Sequence, residues 1–587
     1  MSVLAELSAR VGQIFDAVGI AATFGTVVPS QHPDLAQFQC NGALGAAKGA
    51  GRPPHQIASD VVERLEGVEW LRQAEVSGPG FINLTVTDDF LAVHLSDMAA
   101  SPRLGVPGHD PQTVVVDYGG PNVAKAMHVG HLRATIIGES LQRIMRFLGH
   151  RVIRDPHFGD WGTQMGMLIV ELERRSPELV YFDADFEGPY PEESPVTLND
   201  LQEMYPAISA RCETDPVWAE RARRATVELQ QGRPGYRALW WHMKQVSQKS
   251  QRRDFADLGV EFDLWYGESD VHDRISAMVD RLVAAGVTEV SDGALIVRVD
   301  QPDDKREWPP FILAKSDGGF LYSTTDLATL EFRVDELSAQ TILYVVDARQ
   351  ADHFELVFRV ARKGGLAGPE VRLEHIHFGT MNAKDRRPFK TREGGVVRLR
   401  DLIEMVTGAA LLKLEEASLA QTYPADEKRE IARRVGVAAL KFGDLVNNRQ
   451  SDYIFDLDRF ASFDGKTGPY IQYASARIGS VLRKAAERQL SAGSLLGAAN
   501  EWERKLVLQL VILPEVVLRS AELRAPNHLA EYAYELAAAF NRFYDSCHVL
   551  SERDANQQGS WLALFELSRR SLVQLLDLLG IEVPERM

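Results

Sequence analysis

Apolar and polar residues follow two rhythms along this chain, and the change between them divides it. The opening stretch, MSVLAELSARVGQIF, spaces its apolar side chains three and four apart and predicts an amphipathic helix. FINLTV (Phe81–Val86) reads as a strand, and the Pro/Gly-rich SPRLGVPGHDPQ that follows reads as a linker. TVVVDYGG (residues 113–120) is a β-branched run ended by glycines. Leu132, Ile136, Ile137, Leu141, Ile144 and Leu148 then recur at helical spacing. A buried strand turning tightly into a helix is the first half of a parallel α/β unit. Further strands are expected at 151–155, 294–299, 320–324 and 341–347, with a polar, acidic, helical insertion at about 165–270. From Asp401 onward strands are expected to disappear. Tyr470, Ala474, Ile478, Val481 and Ala485 make one helical stripe, and Leu529, Ala533, Leu536, Phe540 and Phe543 make another.

The predicted fold class is α/β. A small α+β N-terminal domain (1–110) precedes a Rossmann-like parallel-sheet domain with its insertion (111–400). A helical connecting region (401–465) and an all-α bundle (466–587) follow. The 587 residues suffice for three or four domains, and 45% apolar with 25% charged residues is ordinary globular composition. Apolar runs are short, far below the roughly 18–20 residues of a membrane span. Cys40, Cys212 and Cys547 are scattered, with no Cys-x-x-Cys, which argues against a disulfide framework or structural zinc and for a reducing cytoplasm.

Charge complicates the picture. With 65 basic and 82 acidic residues the chain carries −17, which by itself disfavours nucleic acid. The acid is concentrated, however: residues 171–230 hold 14 acids and 6 bases, a local −8. KDRRPFKTREGGVVRLR (384–400) holds 7 bases and 2 acids, a local +5, and 466–587 holds 14 of each. A chain so charged should avoid non-specific RNA and bind a cognate RNA weakly at raised salt.

The sharpest chemical signal is PNVAKAMHVGH (121–131), at the strand–helix junction. It sets His128 and His131 at a helix N-terminus, where unpaired N–H groups and the macrodipole favour an anion. Gly130 lacks a side chain, so a flat base can approach the backbone. The imidazoles can donate to phosphate oxygens as charge develops, and Lys125 adds a fixed positive charge. The plainer alternative is a helix start with incidental histidines; the apolar strand before it favours a nucleotide site. MNAKDRRPFKTREGG (381–395), after a strand-like stretch at 375–380, offers Lys384, Lys390 and Arg392 to phosphates. An ordinary solvated loop is the competing interpretation there. Tyr470, Tyr473 and Arg477 stand at helical spacing, a pattern that in isolation is more often core than ligand contact.

P-N-x-A-K-x-x-H-x-G-H-L-R (121–133) followed by HFGDWGTQMG (157–166) resembles class I aminoacyl-tRNA synthetases, and within them the arginyl-tRNA synthetases. FADLGVEFDLWYGESD (255–270), YSTTDLA (322–328), PFKTREGG (388–395), SFDGKTGPYIQYASAR (462–477) and the terminal LLGIEVPERM resemble the same family in the same order. The N-terminal region fits the family's additional tRNA-contacting domain more loosely. The resemblance implies that Tyr322 and Asp326 face the guanidinium of arginine, whose planar fork matches carboxylates. Asp117, where the family often has Glu, joins them, with Gln350 as a further pocket candidate. Asn122 and His131 would hold the α-amino and carboxylate end. Gly120 stands where the family often has Ser. His128, Gly130, His131, Lys384, Lys390 and Arg392 would bind ATP, and 381–395 replaces the class's second signature in degenerate form. The helical C-terminal domain would bind the anticodon, with Tyr470, Tyr473, Arg477, Tyr544 and Met587 as candidate contacts.

The implied chemistry is two-step acyl transfer with ATP and Mg²⁺, on L-arginine and tRNA(Arg), by a monomer with no membrane attachment. Catalysis is expected from positioning and from cations facing the α-phosphate, namely His128, His131, Lys125, Lys384 and Lys390, with tRNA bound before arginine is activated. Three alternatives remain: another synthetase of the class, a small-metabolite nucleotidyltransferase sharing H-x-G-H, and an RNA-binding paralogue without activity.

Overall fold

The computed structural model describes residues 2–30, 32, 35–316, 318–385, 397–417, 419 and 423–587. They fall into two compact units. One runs to His109 and resumes over Ala409–Val446 and Asp458–Met587; the other comprises Asp110–Gly408 and Asn447–Leu457.

The second unit is built on a four-stranded parallel sheet in the spatial order Arg372–His375, Thr341–Val345, Thr113–Tyr118, Arg151–Asp155. Val114, Val115, Val116 and Ile342 are buried, as the continuous apolar runs of a sheet covered on both faces require. Helix Val129–Phe147 packs on the strand Thr113–Tyr118 through Leu132, Ile136, Ile137, Leu141 and Ile144. Gly138 permits the close approach, because the Tyr118 ring fills the space its side chain would take. Helices Thr163–Arg175, Leu198–Thr214, Pro216–Gln230 and Pro234–Asp257 enclose a core of their own that includes Met165, Leu168, Leu201, Met204, Leu229 and Met243.

Three strand expectations change. Residues 294–297 form a strand, but in a separate antiparallel sheet with Glu289–Ser291 and Phe311–Ala314. Residues 320–324 are not a strand. Phe320 keeps a single bridge to Ala314, and a helix runs from Tyr322 to Asp335, because Leu327, Ala328, Leu330 and Glu331 bury at helical spacing. Packing there overrides a local β preference. Strands also do not end at 401: Tyr453–Ile454 pairs in parallel with Met381–Asn382, a ladder too short to leave a periodic trace.

The first unit opens with helix Val3–Ala17, capped by Ser2 and buried through Leu4, Leu7, Val11 and Phe15. An antiparallel sheet of Val27–Pro29, Phe38–Cys40, Phe81–Val86 and Leu71–Ser77 follows, in that order. The remainder is helical. Gly468–Glu487 buries Ala474, Ile478, Val481 and Ala485; Asn527–Ser546 buries Leu529, Ala533, Leu536, Phe540 and Phe543. Among the described residues no helix is long and apolar enough to cross a membrane.

Candidate functional site

The parallel sheet fixes where a ligand can sit. The chain leaves the strand Thr113–Tyr118 for Arg151–Asp155 on one side and returns as Thr341–Val345 on the other, so the connections diverge at the carboxyl ends of the first and third of these strands. A crevice opens at such a switch point. A cavity of about 130 Å³ occupies it, lined by Asp117, Gly120, His157, Asp326, Thr329, Arg333, Tyr344, Val346 and Phe354.

Beyond Tyr118 the chain turns through Gly119, at φ 93°, a conformation that costs glycine little. It then reaches His128 and His131. The two rings form a reciprocal cap on the helix: the Gly130 N–H donates to His128 Nδ1 at 3.0 Å, and the His128 N–H donates to His131 Nδ1 at 3.1 Å. With each Nδ1 accepting, the bonding assigns each ring proton to Nε2. Burial, and then the charge of Lys125, lowers His128. Burial, reinforced by His128 and Lys125, pushes His131 down to about 3. Both imidazoles are therefore neutral near pH 7, which corrects the expectation that they act as cations: they offer two oriented N–H donors. Gly130 is also required by the cap itself, since a Cβ there would meet the His128 ring at 2.8 Å. The glycine makes room for the imidazole.

Lys125 is the cation of this turn; its ammonium lies 4.6 Å from the Tyr205 ring centroid. Asn122 is half-buried in a backbone bridge to Gly159, and its carbonyl accepts from Gln251 at 2.9 Å. Lys384 is exposed and pairs with Asp456 at 3.3 Å, while the chain re-emerging at Val397 and Leu399 hydrogen-bonds Val129 and Met127 beside the histidines. Lys390 and Arg392 lie outside the described residues.

The acidic cavity differs from expectation in four ways. Asp117 lines it but already holds a guanidinium of this chain, Arg333 at 2.7 Å, which also bonds Asp155 at 2.9 Å. Burial pushes the Asp117 carboxyl up, against the pull of Arg333 and His157. Asp326 lines the cavity as expected, but its Oδ2 accepts from His353 Nε2 at 2.6 Å and its Oδ1 stands 3.9 Å from His157. Tyr322, one helical turn before Asp326, is 61% exposed and rests against the His353 ring rather than lining the cavity. Gln350 is exposed and lies outside the lining; His353, three residues on, takes the position near Asp326. Arg333, His157, Tyr344 and His353 were not anticipated. Arg333 lies seven residues after Asp326, two helical turns on, which was the one available clue. Nearby Glu268 is half-buried, and its loss of water pushes it up to about 7, opposed by His157 and reinforced by Asp326.

The helical unit holds a larger cavity, about 1010 Å³, lined by Tyr473, Arg477 and Met587 together with Tyr423, Arg434, Arg483 and Arg586. Arg477 sits 4.7 Å from the Tyr473 ring and 5.7 Å from that of Tyr544. Asn541 links this cluster to Tyr470, donating to its hydroxyl at 2.8 Å. Tyr470 and Tyr544 thus support the cluster from outside the cavity lining.

Comparison with known proteins covers the chain from end to end. Residues 94–457 match the family described as tRNA synthetases class I (R), catalytic domain; residues 471–587 match the DALR anticodon binding domain; and residues 3–86 match the arginyl tRNA synthetase N terminal domain. An arginine–tRNA ligase of Alkaliphilus oremlandii is 49% identical over 584 residues, 99% of each chain. One of Hyphomonas neptunium is 49% identical over 589 residues, the whole of each. Among solved structures, the arginyl-tRNA synthetase of Plasmodium falciparum covers all of both chains with a TM-score of 0.82 at 25% identity. The chain belongs to the arginyl-tRNA synthetase family of class I tRNA synthetases.

Proposed function

We propose that this chain activates L-arginine with ATP to arginyl-adenylate and transfers the arginyl group to the 2′-OH of the terminal adenosine of tRNA(Arg), releasing AMP and pyrophosphate. The observation that carries this reading is the acidic cavity at the sheet's switch point. It is lined by Asp117 and Asp326 and stands at the end of the strand whose next turn bears the capped His128–His131 pair.

Asp326, with Tyr322 nearby, would bind the guanidinium, and Asn122 and His131 the α-amino and carboxylate end. The carboxylate then attacks the α-phosphate in line and pyrophosphate departs. Negative charge shifting onto the phosphate oxygens meets the Nε2–H donors of His128 and His131 and the charge of Lys125, already oriented before reaction. Lys384, Lys390 and Arg392 would hold the departing phosphates. Mg²⁺ would be held by the ATP phosphates, whose charge it offsets. Tyr473, Arg477 and Met587 would meet anticodon bases, with Tyr470 and Tyr544 bracing them, and the N-terminal domain would touch the tRNA elsewhere. The protein would act as a monomer in a reducing cytoplasm, consistent with three unpaired cysteines.

The test is ATP–pyrophosphate exchange across the amino acids, with and without tRNA. Exchange with arginine alone among them, and only when tRNA is present, is expected. Exchange driven by a different amino acid overturns the assignment.

A further inference from the structure

Among the described residues Arg333 is the bulkiest fully buried side chain, and it lines the cavity assigned to the substrate's guanidinium. It bridges Asp117 and Asp155 from helix Tyr322–Asp335, which also carries Asp326 two turns earlier. Two carboxylates, Asp117 and Asp326, thus line one small cavity, and a third, Asp155, shares with Asp117 the one internal cation. Without it they would be like charges in a poorly solvated place, and at least one would take up a proton.

We propose that Arg333 is a positioning residue for substrate arginine: by bridging Asp117 to Asp155 it keeps Asp117 ionised and held in one orientation, and it reserves the cavity for a single incoming guanidinium. This rests on the arginine activation proposed above. A carboxylate tied through one oxygen still has its second oxygen as an acceptor. A proton there in place of Arg333 would make that acidic wall neutral and free to rotate. The groups facing Asp117 are Arg333 from its helix, Asp155 and His157 from the second strand and its turn, and Tyr344 from the third strand. Asp326 also lines the cavity and is bonded to His353, and Glu268 feels the charges of His157 and Asp326. Of these only Arg333 is a permanent cation.

The experiment measures tRNA-dependent ATP–pyrophosphate exchange by the full chain against arginine concentration, from about pH 6 to about pH 9, where raised carboxyls titrate. Wild type, R333Q and R333K are compared. R333Q is expected to raise the KM for arginine by about tenfold or more at the acid end, the value of one charged hydrogen bond. The kcat should fall less, and the KM defect should shrink as pH rises and Asp117 ionises unaided. R333K, which keeps the charge but not the fork, should recover most of the wild-type pH profile. Should R333Q fail to fold, R333M, which fills the space without the charge, carries the test with a KM defect in the same pH sense. A purely structural ion pair predicts variants with altered thermal stability and an unshifted KM–pH profile, and that result overturns the proposal. A wild-type chain that does not activate arginine overturns the proposed function instead, which separates the two failures.

Discussion

Arg333 and Arg477 place the same side chain in two cavities and under opposite conditions. Arg333 is fully buried, with carboxylates of Asp117 and Asp155 within 2.9 Å of one nitrogen. Arg477 is half-buried, stacked near Tyr473 and Tyr544, and its side-chain partner is the neutral Asn541 at 3.5 Å. The first cavity measures about 130 Å³ and is walled by fixed charges; the second measures about 1010 Å³ and is walled by rings and ion-paired side chains. A small cation is recognised by desolvated, fully bonded charges, where a mismatch leaves a buried group unpaired and discrimination is steep. A base is recognised on a larger platform, where each ring contributes modestly and mismatches are tolerated. The proposed function divides the labour between the two regions accordingly.

The contrast breaks most visibly at Asp326. D326N removes the carboxylate facing the cavity and leaves an incoming guanidinium buried without its partner, a cost of about 3–5 kcal/mol. The kcat/KM for arginine in exchange assays should fall by roughly 10²–10⁴-fold, with tRNA affinity unchanged. A loss of tRNA binding instead would erase the distinction between the cavities.

Glu268 sharpens the picture through stability. It is raised to about 7 against an ordinary 4.5, so the folded chain holds a proton that the unfolded chain has shed. Its contribution is complete below pH 4.5 and lost as pH rises through 7. E268Q cannot ionise and should exceed wild type above pH 7 by about 3 kcal/mol at most, with no gain below 4.5. His131 runs the other way: depressed to about 3 from 6.5, it costs stability as pH falls through that window. Denaturant melts of wild type and variant at several pH values check both signs.

Y473A should weaken tRNA by about 1–3 kcal/mol, roughly ten- to a hundredfold in its KM, without moving the KM for arginine. The smallest effect is that of salt. Arg434 and Arg586 are paired with Glu430 and Glu427, so few cations in the larger cavity are left for phosphates. Raising salt should lift the tRNA KM several-fold and leave that for arginine nearly constant. Equal sensitivity of the two would place the phosphate contacts elsewhere.

Much of this was legible from residue order. The β-branched run, the glycine turn and the H-x-G-H helix start are contiguous, so the nucleotide-facing turn could be read directly. Asp326 was legible for the same reason, within YSTTDLA. Arg333, His157 and His353 were not, because they come from a helix, a turn and another helix separated by up to 196 residues, and only the fold brings the first two to one cavity and the third to Asp326 in its wall.

By itself the sequence determined the α/β class, the helical C-terminal region and the family, since each is written in local periodicity or contiguous motif. It also determined that acid and base are segregated along the chain. What the tertiary structure decided is charge state and partnership. Two histidines expected as cations became neutral donors because the surrounding fold removes water from them. A carboxylate expected to await substrate was already bound to an internal guanidinium. Protonation and pairing depend on burial and on neighbours distant in sequence, and neither exists until the chain has folded.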